Sequence, residues 1–343
     1  MVIFGIDAHK RSHTVVVIDE HGRQLAQRTT NHTATTDHIE LLRWAERFDA
    51  DRLWAVEDCR HLSRRLEADL ITAGERIVRV PPKLMAHARD GARTYGKSDP
   101  IDALAIARAA LREPELPAAH LDEDARQVRL LVDHREDLLA ERTRHTNRVR
   151  WHLHEIDPHW DPKPRALGTL RHLDVAADRL AGDDTLVAAV ARDLIARIRS
   201  LTIDIRELEK QIAQRVEHLG ALLSIPGVGA LLAGKILGEV AGVGRFRSRH
   251  AFARHNGTAP LPAWSGNRVR HRLSRTGNRQ LNAALYRIAI TQARVHPDAI
   301  TYLERRRAGG NTSAEALRAL KRRLSDVIYR ALLVDTGPAH RLA

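Results

Sequence analysis

Val2-Ile-Phe-Gly-Ile6 is a short apolar run that stops at a carboxylate, Asp7. Without polar alternation it reads as a buried strand. Working outward, Thr14-Val-Val-Val-Ile18 is a second such run. Asp19-Glu-His-Gly22, between it and residues 24–29, carries the turn residues of a hairpin. Thr35 or Thr36 is placed to cap a helix over residues 35–48. Arg52-Leu-Trp-Ala-Val56 reads as a further strand ending at Glu57. A helix over residues 62–73 precedes the strand Arg76-Ile-Val-Arg-Val80, which Pro81-Pro82 stops. Hairpin strands followed by strands alternating with helices predict an α/β fold with a mixed sheet. Open α/β sheets place ligands at the C-terminal ends of strands, and Asp7 and Glu57 both stand there.

Tyr95-Gly-Lys-Ser-Asp-Pro-Ile-Asp-Ala103 supplies two more carboxylates. Pro100 lacks an N–H and suits the first position of a helix over residues 100–111, which makes Asp99 the N-cap. Asp102 then falls one turn further on, on the same face. Asp-x-x-Asp at a helix start serves as a cap with no metal. Two crowded carboxylates also suit a hard cation. Two strand ends and a helix start can converge, so Asp7, Glu57, Asp99 and Asp102 form an oxygen-rich set suited to Mg²⁺ or Mn²⁺. Asp58 follows Glu57 directly, and strand alternation turns it to the other face.

At 343 residues and 43% hydrophobic composition the chain can fill two or three domains. No apolar run approaches the ~18–20 residues of a membrane span, and Met1 leads straight into a strand, so a cytoplasmic protein without a signal peptide is expected. A single cysteine, Cys59, excludes an internal disulfide and cysteine-based zinc sites. The 20 histidines form no ligand pattern; His152-x-His154 and His250-x4-His255 read as surface residues. The net charge of +13 favours a polyanionic partner, nucleic acid before membrane. From Gly220 onward there are 21 Lys/Arg against 6 Asp/Glu, whereas the first 219 residues hold 35 against 37. The basicity belongs to the C-terminal third.

Residues 122–156 read as a charged helix with apolar positions at Val128, Leu131, Leu138, Val149, Leu153 and Ile156, interrupted by Arg135 and Arg142. After the break His159-Trp-Asp-Pro-Lys-Pro164, Leu194, Ile198, Leu201, Ile205, Leu208 and Ile212 alternate spacings of four and three, a coiled-coil seam. Its partner lies within the chain or on another protomer. Leu222-Leu-Ser-Ile-Pro-Gly-Val-Gly-Ala-Leu-Leu-Ala-Gly-Lys-Ile-Leu237 resembles a helix-hairpin-helix motif. Pro226, Gly227 and Gly229 make a tight turn whose N–H groups can grip a phosphate, with Lys235 beyond it. Trp264-Ser-Gly-Asn-Arg-Val-Arg-His-Arg-Leu-Ser-Arg-Thr-Gly-Asn278 is a basic run carrying Arg268, Arg270, Arg272 and Arg275. Residues 280–293 and 314–333 read as helices, with Arg305-Arg-Arg307 and Lys321-Arg-Arg323 as further phosphate-binding clusters or solvated faces.

Ile3-Phe-Gly-Ile-Asp-Ala-His-Lys10, Val56-Glu57 and Lys97-Ser-Asp-Pro-Ile-Asp-Ala103, taken together, resemble the DEDD transposases. These are insertion-sequence recombinases related to the Piv DNA invertase, with a domain like the Holliday-junction resolvase RuvC. The chain departs from the pattern at Asp58-Cys59, where the family has small residues. The resemblance implies an RNase H-like (RuvC-like) α/β domain over 1–120, a helical coiled-coil insert over 121–219 and a mostly α, helix-hairpin-helix domain over 220–343. It implies that Asp7, Glu57, Asp99 and Asp102 bind divalent metal. It further implies that Ser265 attacks a phosphodiester, with Gly266 allowing close backbone approach and the arginines flanking the developing charge. Ser274 is the rival serine. The implied partners are element-end and target DNA, a noncoding bridge RNA and further copies of the chain, as a dimer or tetramer, on a prokaryotic nucleoid. Two other readings stand beside this one: a Holliday-junction nuclease using water, and a non-catalytic architectural nucleic-acid-binding protein.

Overall fold

The computed structural model describes residues 1–58, 60–91, 98–163, 165–265, 268–272, 274 and 277–337, by backbone alone at 60, 61, 263–265 and 268–270. The chain forms two compact units. One comprises Met1–Asp122, Ile225–Gly227 and Val240–Ala343; the other comprises Glu123–Ser224 and Val228–Glu239. Among the described residues no helix is long and apolar enough to cross a membrane.

The first unit is built on the sheet that the opening stretch predicts. Strands β1 (Val2–Ala8), β2 (His13–Ile18), β3 (Gln24–Thr29), β4 (Arg52–Glu57) and β5 (Ile77–Val80) lie in the order β3-β2-β1-β4-β5. The hairpin strands run antiparallel to their neighbours, and β4 and β5 run parallel to β1. All seven residues of β1 are buried, because both faces of the sheet are covered. On one face Phe4, Ile6, Trp54 and Val56 pack with Leu41 and Ala45 of α1 (Thr35–Ala45) and Leu66 and Leu70 of α2 (Arg60–Thr72). Phe4 stacks on Trp54 with ring centroids 4.4 Å apart. On the other face Ile3, Val16 and Ala55 pack with Ala88 of α3 (Pro82–Asp90) and Ala103 and Ile106 of α4 (Asp99–Arg112).

Two local expectations are corrected and one is extended. Helix α1 has Ala34 at its N-cap position with no side-chain cap bond, so neither Thr35 nor Thr36 caps it. Pro81-Pro82 ends β5, yet Pro82 also opens α3, since a first-turn proline forfeits no intrahelical bond. Helix α4 begins at Asp99, one residue early, with Ser98 at the N-cap position and Asp102 N–H bonded to Ser98 O at 3.0 Å. Asp99 therefore sits inside the first turn, released from capping.

The second unit is helical: α5 (Glu123–Ile156), α6 (Leu170–Arg179), α7 (Leu186–Val216), α8 (Gly220–Leu223) and α9 (Ala230–Val240), whose last residue belongs to the first unit. Helices α5 and α7 pair antiparallel within the chain. Gln127 meets Arg215, Arg135 meets Glu209 at 2.5 Å and Arg142 meets Thr202, so partner numbers fall as residue numbers rise. The two arginines that interrupt the α5 seam thus have polar partners on α7. Ile195, Ile198, Leu201, Ile205 and Ile212 are buried along it, while Leu194 and Leu208 are only half-buried.

The C-terminal part of the first unit holds α10 (Arg249–His255), a hairpin of β6 (Leu261–Ser265) and β7 (Arg268–Arg272), and helices α11 (Arg279–Val295), α12 (Pro297–Ala308) and α13 (Ser313–Thr336). A polar seam ties it to the segment after α4. Arg247 pairs with Glu115, Arg254 with Glu113, and Arg245 donates to Ala118 O at 3.5 Å. The N-terminal and C-terminal thirds of the chain are one compact body.

Candidate active site

Strand alternation decides where the carboxylates point. Ile3 and Ala55 belong to the core on the α3–α4 face, and Phe4, Ile6, Trp54 and Val56 to the opposite core. Asp7 and Glu57 therefore share the α3–α4 face. The register pairs Ile6 with Val56, so the two carboxylates stand level on adjacent parallel strands. Helix α4 lies against this face because Gly5 has no side chain: a Cβ there would come within 2.2 Å of Ala103 O and 2.7 Å of Ala107 Cβ. That docking carries the first turn of α4, with Asp99 and Asp102, toward Asp7.

Asp7 and Asp102 are buried at 6% and 8% exposure. Burial raises the Asp7 carboxyl above the usual carboxylate range, and Asp102 and Asp99 add to the rise while His9 opposes it. Glu57 is raised as well, first by burial, then by Asp7 and Asp102. Asp7 is thus within electrostatic reach of Asp99 and Asp102, and Glu57 of Asp7 and Asp102. Two nitrogen-bearing side chains face the carboxylates. Arg89 of α3 donates to Asp102 Oδ1 at 3.0 Å. His9 Nε2 lies 3.0 Å from Asp7 Oδ2 and 3.4 Å from Asp99 Oδ1. Single ligand atoms of Asp7, His9 and Asp99 lie within 4.8 Å of one another. Hard oxygen donors, two of them buried and together under-neutralised, fit a divalent cation of the Mg²⁺ or Mn²⁺ kind.

Neither His9 nor Arg89 is picked out by sequence reading. His9 stands two residues past Asp7 in a quoted motif, which is a usable signal. Arg89 reaches Asp102 only through the packing of α3, a helix the double proline concealed.

In the basic run, β6 and β7 pair with Ser265 opposite Arg268, Ala263 opposite Arg270 and Leu261 opposite Arg272. Ser265 thus ends a strand, and period-two alternation puts positions 268, 270 and 272 on one face of β7. Arg272 is exposed. Gly266 and Arg275 lie outside the described residues, and Ser265, Arg268 and Arg270 are placed by their backbone. The rival Ser274 is buried at 8% exposure. Behind it Gly277 meets Gly257, which has φ +71°; a Cβ on Gly277 would lie 2.3 Å from Gly257 N, so only glycine permits this approach.

The turn between α8 and α9 is partly committed to packing. Gly227 adopts φ +88°, Gln292 Nε2 donates to Pro226 O at 2.7 Å, and a Cβ on Gly227 would lie 3.2 Å from Thr291 Cβ. A Cβ on Gly229 would meet nothing within 4 Å, which leaves the start of α9 open on that side. Lys235 is a correction. It is 5% exposed and bonded to Glu136 at 2.9 Å, with Asp133 at 3.5 Å, so its charge is spent inside the second unit rather than on nucleic acid.

Residues 4–158 match a family model for the IS110 DEDD transposases, described as Transposase. Residues 219–304 match one described as Transposase IS116/IS110/IS902 family. The chain is 29% identical to the insertion element IS900 uncharacterized 42 kDa protein of Mycobacterium paratuberculosis, over 98% of this chain and 96% of that protein. It is 31% identical to the insertion element IS110 uncharacterized 43.6 kDa protein of Streptomyces coelicolor, over 76% of each. Among solved structures, Thermus thermophilus RuvC in complex with a Holliday junction substrate aligns at 18% identity and a TM-score of 0.28, over 35% of this chain and 99% of that one.

Proposed function

The chain belongs to the IS116/IS110/IS902 family of transposases, and on that premise we propose that it cuts and rejoins DNA with a carboxylate-bound metal and a serine nucleophile. The observation that carries the reading is that Asp7, His9 and Asp99 bring ligand atoms within 4.8 Å of one another at the C-terminal edge of the sheet, with Asp102 and Glu57 in electrostatic reach of Asp7. Asp7, Glu57, Asp99 and Asp102 would hold Mg²⁺ or Mn²⁺, with His9 bracing Asp7 against Asp99 and Arg89 fixing Asp102. A bound divalent cation supplies charge compensation to a phosphate and eases ionisation of an oxygen nucleophile.

Ser265 is the proposed nucleophile. Its Oγ gives up a proton to a neighbouring base and forms a new bond to phosphorus, while one bridging P–O bond breaks and the departing oxygen takes up a proton. Attack by a strand hydroxyl on the phosphoserine then restores the serine and joins the new strand. Arg268, Arg270, Arg272 and Arg275 flank the charge developing on the phosphate, Gly266 permits close backbone approach, and Pro226, Gly227 and Gly229 grip backbone phosphate. Functionally we divide the chain into a metal domain over 1–120, a coiled-coil insert over 121–219 and a helix-hairpin-helix domain with the serine over 220–343. The first 219 residues are close to neutral, so the C-terminal region supplies most of the attraction for DNA, and a divalent cation held by the carboxylates would supply compensating charge to a phosphate there. The partners in this reading are element-end and target DNA, a noncoding bridge RNA that pairs with both, and further copies of the chain, acting at the nucleoid.

An in-cell excision and insertion assay tests the proposal. Asp7→Asn, Asp102→Asn and Ser265→Ala each abolish both events if it holds. Activity retained in the aspartate variants leaves an architectural protein, and cutting retained in Ser265→Ala leaves a water-using nuclease.

A further inference from the structure

The helical part of the first unit contains a cavity of about 290 Å³ lined by Lys83 of α3, Ser274, Arg279, Asn282 and Tyr286 of α11, and Lys321 of α13. Three of the lining residues are cations and none is a carboxylate. Lys321 is 6% exposed. Its ammonium donates to Asn282 Oδ1 at 2.6 Å and lies 5.7 Å from the Tyr286 ring centroid. Among the described residues no carboxylate meets it, and burial lowers its pKa, with Arg318 adding to the effect.

An ammonium has three donors, and leaving its charge buried without a counter-charge is costly. The arrangement is nevertheless built. Asn282 Nδ2 donates to Asn256 O at 2.7 Å, which orients its oxygen toward Lys321, and the fully buried Asn256 donates in turn to Ser325 Oγ at 2.8 Å. Helix α11 starts at the same place: the Asn278 side chain accepts from Leu281 N–H at 2.9 Å, and Arg279 occupies the first turn. The positive end of a 17-residue helix adds to the potential of the three cations. Lys83 and Arg279 pair with no carboxylate among the described residues. The volume exceeds what a lone phosphate needs, and Tyr286, 45% exposed, offers a ring face of the kind on which bases stack.

We propose that this cavity binds one nucleotide of a nucleic-acid strand, its phosphate held by Lys83, Arg279 and Lys321 and its nucleoside against Tyr286. It is a site separate from the carboxylate pocket, although α3 contributes to both, through Lys83 here and Arg89 there. The assignment rests on the chain's being a protein that handles nucleic acid, but it requires no strand transfer.

The test uses the full chain without divalent metal, a fluorescent single-stranded 20-mer and anisotropy across a range of salt concentrations. Each phosphate released from a cation lowers the log–log salt slope by about 0.7 for single strands. Lys83→Gln combined with Lys321→Gln is expected to weaken binding and to flatten the slope by about that amount. Tyr286→Ala is expected to weaken binding about tenfold at an unchanged slope. Lys83→Gln, at a half-buried helical position, carries the test alone if the double variant does not fold by thermal melting. Unchanged affinity and slope in folded variants overturn the site. A Tm rise with inorganic phosphate in the wild type, with oligonucleotide binding unaltered by the substitutions, marks a free-phosphate site and overturns the strand assignment. Loss of excision in Ser265→Ala bears on the recombinase alone, so the two readings fail separately.

Discussion

Asp7 holds a carboxylate whose charge the fold opposes, since burial and the neighbouring Asp102 and Asp99 all favour its protonated form. An acid raised in the folded state contributes stability that is present at low pH and lost as pH rises through its folded value. Asp7→Asn is therefore expected to raise the Tm of the metal-free protein at pH 7 while abolishing recombination. The gain should vanish below the ordinary carboxylate range, where wild-type Asp7 is already protonated; a thermal melt at two pH values reads both. His13 works in the opposite sense. It is buried, stacked on His38 at 5.4 Å, and its pKa is lowered to about 4, by burial first and then by His38 and His9. A histidine lowered in the folded state withdraws stability as pH falls from about 6.5 toward 4, here by roughly 3 kcal/mol. His13→Gln is expected to flatten the denaturant midpoint across that interval. Gly5 carries a steric demand instead: Gly5→Ala pushes α4 off β1, at a cost of about 1–3 kcal/mol, with a loss of activity larger than the unfolded fraction explains.

At the scale of elements, α4 joins the fold to the chemistry, because its alanine face seats on Gly5 and its first turn presents two carboxylates. The strands, the hairpin and the two strand-ending carboxylates are legible in the sequence, since apolar runs and period-two alternation are local properties. Helix α3 is not, because Pro82 signals a stop and a start in the same place. Arg89, Lys321 and the Asn256–Asn282 network are not legible either, for their partners lie far along the chain. Lys321-Arg-Arg323 shows the limit well: Lys321 lines a cavity, Arg322 pairs with Asp326 at 2.5 Å, and Arg323 lies over the Tyr302 ring. Lys235 errs for the same reason, as no local pattern marks Glu136 as its partner. Helices α5 and α7 form a seam whose pattern was legible and whose antiparallel pairing was not. Ile198→Ala within it is expected to cost about 2–5 kcal/mol, read from the denaturant midpoint.

At the scale of the molecule, charge and packing divide the chain differently. Charge isolates the last third, whereas packing joins that third to the first through Arg247–Glu115, Arg254–Glu113 and Arg245–Ala118. Truncation before Gly220 would strip these contacts from the sheet domain, so charge-removing substitutions test the basic surface more cleanly. The triple change of Arg268, Arg270 and Arg272 to Gln is expected to flatten the salt slope on duplex DNA by up to about 2.7, at about 0.9 per phosphate.

The central claim is that a serine in the basic region takes the phosphate while the carboxylates of the sheet domain make the step possible. Its most direct measurement is mass spectrometry of DNA-linked peptides recovered from the full chain acting on element-end DNA with Mg²⁺ and RNA transcribed from the sequence flanking the gene. The account predicts a nucleotide adduct on Ser265 in the wild type and in Ser274→Ala, and none in Ser265→Ala or Asp7→Asn. An adduct on Ser274, or strand cleavage at the wild-type rate in Ser265→Ala, would contradict it.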